Sequence, residues 1–340
     1  SWAGMFSLLA LLYLPMMAVT LLAPKSAADK LHTPPTLRQA VWEPFVGFLS
    51  KRRALELLAF VVLYKLADNL AGALVRPFLV QVGFNDFDVG IATATIGLVA
   101  TLIGTFLGGM LTTAMGLGHA LWAFGALQIL SNFGYVLVAE IGVNRPLMYG
   151  AMGFESLTTG MGTGAFSVLL LRMTQKQFSA TQYALFSSLF ALPRILAGPV
   201  TGVMVDAAGW GQFFWFTIAI GIPGMIMLHR FAPLGTREPE IETLAKIHPR
   251  RLSPGVLLGR GLLGGGVAFA IAATCVALLE AVKRQRLDPA NGFDLLAPLS
   301  GLFTPASISD WVSLFGVVLF SAVFALATAA TSAARSKQKK

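Results

Sequence analysis

Hydrophobic residues along this chain are gathered in nine long runs that are separated by shorter polar segments. A helix needs about 20 apolar residues to cross the hydrocarbon core of a bilayer, and the runs have about this length, the seventh being the shortest. The sequence lacks the strict alternation that is typical of a half-buried strand. The pattern therefore predicts an all-α, polytopic membrane protein with spans near residues 2–22, 57–80, 89–113, 120–139, 147–171, 183–205, 213–228, 256–279 and 311–330.

Composition and charge agree with this class. Hydrophobic residues make up 56% of the chain, charged residues 12%, and the mean hydropathy is +0.72, whereas soluble domains carry about 25% charged residues. The net charge is +9. If the loop after the first span is cytoplasmic, 17 Lys and Arg residues fall inside and four outside. The positive-inside rule therefore explains the basic charge without a nucleic-acid partner, and it predicts a cytoplasmic C-terminus.

Two polar loops divide the chain. The first carries Leu37, Val41, Phe45 and Phe48 at helical spacing, which predicts either a helix lying in the membrane interface or a solvated linker helix. The second loop separates six spans from a final pair. The expected layout is a last span of an N-terminal half at 1–23, a cytoplasmic linker at 24–56, a six-helix bundle at 57–230, a cytoplasmic loop at 231–255, two additional spans at 256–334 and a basic tail at 335–340.

Four ionisable residues fall inside three of the predicted spans, namely Lys65 with Asp68, Glu155 and Arg194. A helix rise of about 1.5 Å per residue places all four around or just outward of the membrane midplane. Each such group costs at least about 2.5 kcal/mol at that depth, so their presence indicates a polar path through the membrane.

Each of these residues also has a purely structural interpretation. Lys65 and Asp68 are three residues apart and could neutralise each other on one helix face. Glu155 has no basic partner in its own helix, and apolar surroundings disfavour the charged form of a carboxyl, which suits a group that exchanges a proton. It could instead fix helix packing through a hydrogen bond. Arg194 could pair with Glu155 or bind a substrate oxygen.

Several segments carry a more specific signal. Residues 63–68 read LYKLAD, and FGALQ at 124–128, FESL at 154–157, GMGT at 160–163, FSATQYAL at 178–185 and GPVTG at 198–202 follow in order. Gly109 and Gly116 keep the spacing of the loop motif of major facilitator transporters, although uncharged residues replace its charged positions. These segments resemble the muropeptide permeases of the AmpG type, a group of that superfamily, over about residues 1–228.

The resemblance implies a function. Such permeases import anhydro-muropeptides, meaning GlcNAc–anhydro-MurNAc with or without its peptide, from periplasm to cytoplasm for cell-wall recycling, with the proton gradient as energy source. A monomer in the bacterial inner membrane is expected, and the chain would be a fragment of a fourteen-span protein that lacks the first five spans. The alternatives are an acetyl-CoA or other solute transporter of the same superfamily, and a membrane-embedded transferase.

The remaining polar residues do not suggest an enzyme. The sequence has one cysteine, Cys275, four scattered histidines, and no recognisable catalytic triad, phosphate loop or metal cluster. We therefore predict neither a cofactor nor a metal, and partners limited to a small-molecule substrate and membrane lipids. Tyr64 is added to the candidate pathway because its ring could stack on a sugar, while Gln128 and Asn132, four residues apart, are expected to form an interhelical hydrogen bond.

Overall fold

The computed structural model of the protein describes residues 2–22, 42–50, 53–174, 179–239, 252–287 and 293–335. It describes the backbone only at 2–3, 179–180, 189–200, 203, 206–207, 286–287, 308–309 and 335. The regular secondary structure of these residues is helical, without a strand, which confirms the all-α prediction. The chain divides into two units, Ser1–Ala40 and Val41–Lys340.

The described part of the first unit is one helix, α1, Trp2–Leu22, which coincides with the first predicted span. Its stretch Gly4–Leu22 is long and apolar enough to cross a membrane. Pro15 lies inside the helix and removes one backbone donor there.

The second unit contains twelve further α-helices among the described residues. These are α2 Glu43–Leu49, α3 Ala54–Tyr64, α4 Leu66–Ala73, α5 Val75–Val82, α6 Asp86–Gly90, α7 Gly97–Met115, α8 Leu117–Ile141, α9 Arg145–Met173, α10 Ser179–Phe231, α11 Pro254–Leu287, α12 Leu296–Phe303 and α13 Ile308–Arg335, with a π-helical segment Ile91–Ile96 between α6 and α7.

The second predicted span is built from the three short helices α3, α4 and α5. The backbone leaves the helical region at Lys65, with φ −105° and ψ 4°, and again at Leu74, with φ −115° and ψ 10°. The ring of Pro77 would clash with the carbonyl of Ala73 in an unbroken helix, which explains the second break. The first break is at Lys65, one of the four ionisable residues that the sequence places inside a predicted span.

Seven helical stretches in the described part of the chain are long and apolar enough to cross a membrane. The predicted spans near 147–171 and 183–205 are not among them. Helix α9 has 29 residues, but Glu155, its threonines and its glycines lower its hydropathy. Helix α10 is really two helices that meet at Gly209, where φ is 80° and ψ is 168°. Since a positive φ of this kind is open mainly to glycine, Gly209 makes the turn that was expected between the sixth and seventh spans.

The bundle has two aromatic clusters in its core. One contains Phe60, Tyr64, Phe124 and Phe166, and the other contains Phe78, Tyr135, Phe213 and Phe214. The backbones of α7 and α9 lie so close together that a Cβ atom at Gly108 would be only 2.6 Å from Met161 Cα. Such close packing of small residues is typical of membrane helices.

The terminal helices α11 and α13 pack on each other, and the end of α13 reaches the linker helix α2. Ala330 and Ala334 belong to the same buried cluster as Phe48, whose ring meets Phe186 edge to face at 4.7 Å. Phe48 therefore packs inside the protein rather than in the membrane interface. The earlier part of the predicted linker helix, including Leu37, lies outside the described residues, and the domain layout stays a prediction.

Candidate functional site

Lys65 and Asp68 form an ion pair at the break between α3 and α4. Lys65 Nζ lies 2.9 Å from Asp68 Oδ2, and the side chains are only 2% and 14% exposed. The three-residue spacing brings both groups to one face, and the break at Lys65 places its ammonium beside the first turn of α4. A charged pair inside an apolar bundle is stable only when each charge is matched, and here it is.

Glu155 lies within α9, on a different helix from the ion pair. Its carboxylate accepts a hydrogen bond from Thr159 Oγ1 at 3.1 Å and a second one from the phenol of Tyr135 on α8. Tyr135 is 1% exposed, and its ring stacks on Phe214 at 4.8 Å. The carboxylate is therefore oriented by two neutral donors, one of which is fixed by packing.

The ion pair and Glu155 belong to one electrostatic cluster. The charges of both Asp68 and Lys65 act on Glu155, although the two groups come from different helices. With all three groups ionised, two carboxylates share one ammonium, so the cluster carries one excess negative charge. Binding of one proton or of a cationic group would neutralise it.

A cavity of about 610 Å³ lies over Glu155. Its wall is formed by α4 and α5, the π-helical segment, α7, α8 and α9. Thr93, Thr101 and Ser156 provide polar atoms beside Glu155 and Tyr135, and the remaining lining residues are Gly72, Val75, Ala92, Ala94, Gly97, Leu98 and Met152. Cavities of this size are typical of small-molecule sites.

Asp68 lies one helical turn from this cavity. Gly72 of the cavity wall follows Asp68 by four residues on α4, so the two positions share a face. The ion pair is therefore placed at the edge of the cavity, with Lys65 deeper in the protein than Asp68.

The other two predicted site residues are placed differently. Arg194 is part of α10, but its side chain lies outside the described residues. Tyr64 donates a hydrogen bond to the carbonyl of Leu121 at 2.7 Å, and its ring stacks on Phe166 at 5.5 Å. Tyr64 thus belongs to the packed aromatic core and does not line the cavity over Glu155.

Two features of the site were missed in the sequence. Tyr135 looked like an ordinary core aromatic, and the only available signal was its place three residues after Asn132 on an otherwise apolar helix. The π-helical segment Ile91–Ile96 widens the helix that lines the cavity. Such segments occur frequently at functional sites, but an apolar sequence such as IATATI does not distinguish them from an α-helix.

The site offers acid–base groups but no metal ligands in a usable arrangement. The described part of the chain contains no group of three or more His, Cys, Asp or Glu residues that could hold a metal ion. The cavity can accommodate a polar solute beside the carboxyl group of Glu155, which is chemically able to take up or release a proton.

Known proteins resemble the chain over most of its length. No family model matches it. It is 43% identical to the anhydromuropeptide permease of Escherichia coli strain K12 over 228 residues, which is 67% of this chain and 46% of that protein. It is 32% identical to an AmpG-type transporter of Rickettsia prowazekii over 191 residues, 54% of this chain and 43% of that protein.

The chain thus spans about half the length of the curated relatives it matches. These relatives are named as a permease and a transporter, not as enzymes. They confirm the resemblance that the sequence motifs indicated: over two thirds of its length the chain is similar to an anhydromuropeptide permease, and over about half of it to an AmpG transporter.

Proposed function

We propose that the protein carries anhydro-muropeptides across the bacterial inner membrane into the cytoplasm, in symport with protons. The observation that carries the proposal is the pairing of 43% identity to an anhydromuropeptide permease with a buried Lys65–Asp68–Glu155 cluster at a cavity. Three charged groups at this depth would only destabilise a purely structural bundle, because each of them has an unfavourable transfer free energy into the membrane.

The substrate matches the chemistry of the cavity. An anhydro-muropeptide presents hydroxyl, acetamido and carboxylate groups on two sugar rings, and the lining combines small hydroxyl side chains with apolar walls. Lys65 is positioned to attract a substrate carboxylate once Asp68 or Glu155 has been neutralised. The guanidinium of Arg194 is proposed as a second group that binds the substrate, through paired hydrogen bonds.

Glu155 is the proposed proton carrier. It receives its hydrogen bonds from neutral donors, whereas Asp68 is bound directly to an ammonium. Asp68 already pairs with the ammonium of Lys65, so we assign the coupled proton to Glu155, which has no ion-pair partner among the described side chains. Protonation of Glu155 would remove the excess negative charge of the cluster, and the neutral, loaded site could then change its access from one side of the membrane to the other.

The assembly proposed around this site is a major facilitator bundle. The second unit would supply the C-terminal six-helix half and two additional helices, with α1 as the last span of the N-terminal half. In that fold substrates bind near the membrane midplane between the two halves. A monomer with a cytoplasmic C-terminus, surrounded by lipid, is the corresponding arrangement in the membrane.

Uptake into vesicles tests the function. Proteoliposomes that contain the full-length protein and carry a proton gradient, acidic outside, should accumulate labelled GlcNAc–anhydro-MurNAc tripeptide. Collapse of the gradient with an uncoupler should reduce uptake to equilibration. Labelled acetyl-CoA serves as the comparison substrate, and accumulation of acetyl-CoA in place of the muropeptide would contradict the proposed substrate class.

A further inference from the structure

Two amide side chains are buried where α8 packs on α9. Gln128 and Asn132 are 3% and 2% exposed, and within the described part of the chain Gln128 Nε2 and Asn132 Nδ2 have no hydrogen-bond partner. The interhelical hydrogen bond expected from the sequence is therefore not made by these nitrogens. Rotating either amide would exchange its oxygen and nitrogen but would leave a polar atom in the same place.

These amides share a helix face with the site. Gln128, Asn132 and Tyr135 follow one another at spacings of four and three residues, so they form one stripe along α8. The stripe begins at the phenol that donates to Glu155. It extends over two turns, about 10 Å, towards the end of α8 that we place at the cytoplasm.

On α9, the face that packs against this stripe carries a glycine, Gly162, opposite Gln128. A Cβ atom at Gly162 would lie 2.6 Å from Gln128 Nε2, so the Gln128 amide occupies the space that a side chain there would take. Tyr135 meets Glu155 and Gln128 meets Gly162, which are seven residues apart on both helices and so fix an antiparallel register. The same register places the buried Thr158 opposite Asn132.

We propose that this α8–α9 seam, defined by Gln128, Asn132, Thr158 and Gly162, is an internal water site that exchanges protons with Glu155. A buried amide N–H without a hydrogen-bond partner destabilises the fold, and a buried water typically makes about three hydrogen bonds to such groups. Within one seam the two amides supply N–H donors, and the Thr158 hydroxyl, which donates to the backbone carbonyl of Glu155 at 2.9 Å, can accept a hydrogen bond from water. The proton-exchange part rests on the proposed function, whereas the water site does not.

A proton leaves the Glu155 carboxyl for a seam water molecule, the carboxylate keeps the electron pair of the broken O–H bond, and the water becomes hydronium. Hydronium then passes its proton to the next water along the stripe. The amides bind and orient water, and they do not themselves change protonation.

Hydroxyl-radical footprinting by X-ray radiolysis tests the water site, because radicals formed from bound water label the nearest side chains. The reporter is Phe124, which is 2% exposed and lies one turn from Gln128, and the dry control is Phe213, which is 0% exposed. In the full-length protein Phe124 should be labelled several-fold faster than Phe213. The double variant Gln128→Met/Asn132→Leu replaces both amides with apolar side chains of similar shape and should lose this difference. The variant Gln81→Met, which removes an amide at the surface, should keep it.

Each result decides one part of the proposal. Equal labelling of Phe124 and Phe213, or labelling that persists in the double variant, would overturn the water site. If labelling is lost but proton-driven accumulation remains as fast as in the unmodified protein, the water is structural and the proton-exchange part is wrong. We expect slower accumulation with unchanged substrate exchange. If the unmodified protein transports no muropeptide, the proposed function fails, while the footprint still decides the water site.

Discussion

The ammonium of Lys65 lies 2.9 Å from the carboxylate of Asp68 at a point where the helix is broken, and 98% of the Lys65 side chain is shielded from solvent. Removal of one partner from such a pair leaves an unmatched buried charge, which is more destabilising than removal of both. The pair therefore controls both stability and charge at the edge of the cavity.

Single replacements of this pair should be more harmful than the double replacement. Lys65→Met or Asp68→Leu should each reduce stability by about 3–5 kcal/mol, whereas the double variant should recover most of the loss. Thermal unfolding in detergent measures the difference. Lys283→Met is the control, because its pair with Glu280 is exposed at 67% and 40% and should contribute about 0–1 kcal/mol. Additive losses in the double variant would show that the two charges do not depend on each other.

Gly108 and Gly109 are adjacent residues of α7, and only Gly108 lies against α9. A Cβ atom at Gly108 would lie 2.6 Å from Met161 Cα, whereas at Gly109 it would meet nothing within 4 Å. Gly108→Ala should therefore separate the helices and reduce stability by about 1–3 kcal/mol.

Gly109→Ala should be neutral or slightly stabilising, because alanine is the better helix former. Melting temperatures of the two purified variants test this difference directly. Equal melting temperatures would contradict the close approach of α7 and α9.

A polar clamp joins the start of α6 to the start of α9. Asp88 accepts hydrogen bonds from Arg145 Nε at 2.7 Å and from Tyr149 Oη at 2.9 Å, and its side chain is 8% exposed. Asp88→Ala should increase the mobility of the π-helical segment that lines the cavity. Hydrogen–deuterium exchange over residues 86–96 should then be faster in this variant. Asp86→Ala, which removes an exposed acid two residues earlier, is the control and should leave the exchange unchanged.

The sequence predicted the helices far better than the contacts between them. The apolar runs located the helical spans because length and hydropathy are local properties, and Lys65, Asp68 and Glu155 stood out because charge is rare in such runs. Tyr135 could not be recognised as the partner of Glu155, since this contact depends on the register of α8 against α9. The breaks at Lys65 and Leu74 illustrate the same limit: Pro77 accounts for the second, but no residue type marks the first.

The same limit applies to Gln128, Asn132 and Tyr64. The four-residue spacing puts the two amides on one helix face, and both side chains are buried. Among the described residues, however, the hydrogen bond expected between helices is not formed by their nitrogens. Tyr64 is adjacent to Lys65 in sequence, yet its side chain turns to Leu121 and Phe166. Neighbouring helical residues point in different directions, so Tyr64 packs in the core although it adjoins Lys65 in sequence.

The role of Asp68 can be separated from that of Glu155. We propose that Asp68 holds Lys65 in place for the substrate. Asp68→Asn should therefore weaken both gradient-driven accumulation and the exchange of substrate between the two sides of the membrane. The apparent affinity for the muropeptide, measured from exchange at increasing substrate concentration, should fall. Exchange at full affinity in this variant would exclude a substrate-orienting role for the pair.

Glu155→Gln tests the central claim most directly, because glutamine keeps the size and hydrogen-bonding shape of the side chain but cannot carry the coupled proton. Both variants of the full-length protein, Glu155→Gln and the exposed control Glu140→Gln, are compared in proteoliposomes for accumulation under a proton gradient and for substrate exchange without one. The account predicts that Glu155→Gln exchanges labelled anhydro-muropeptide but accumulates none above equilibration, while Glu140→Gln does both. Proton-driven accumulation by Glu155→Gln at the level of the unmodified protein would contradict it.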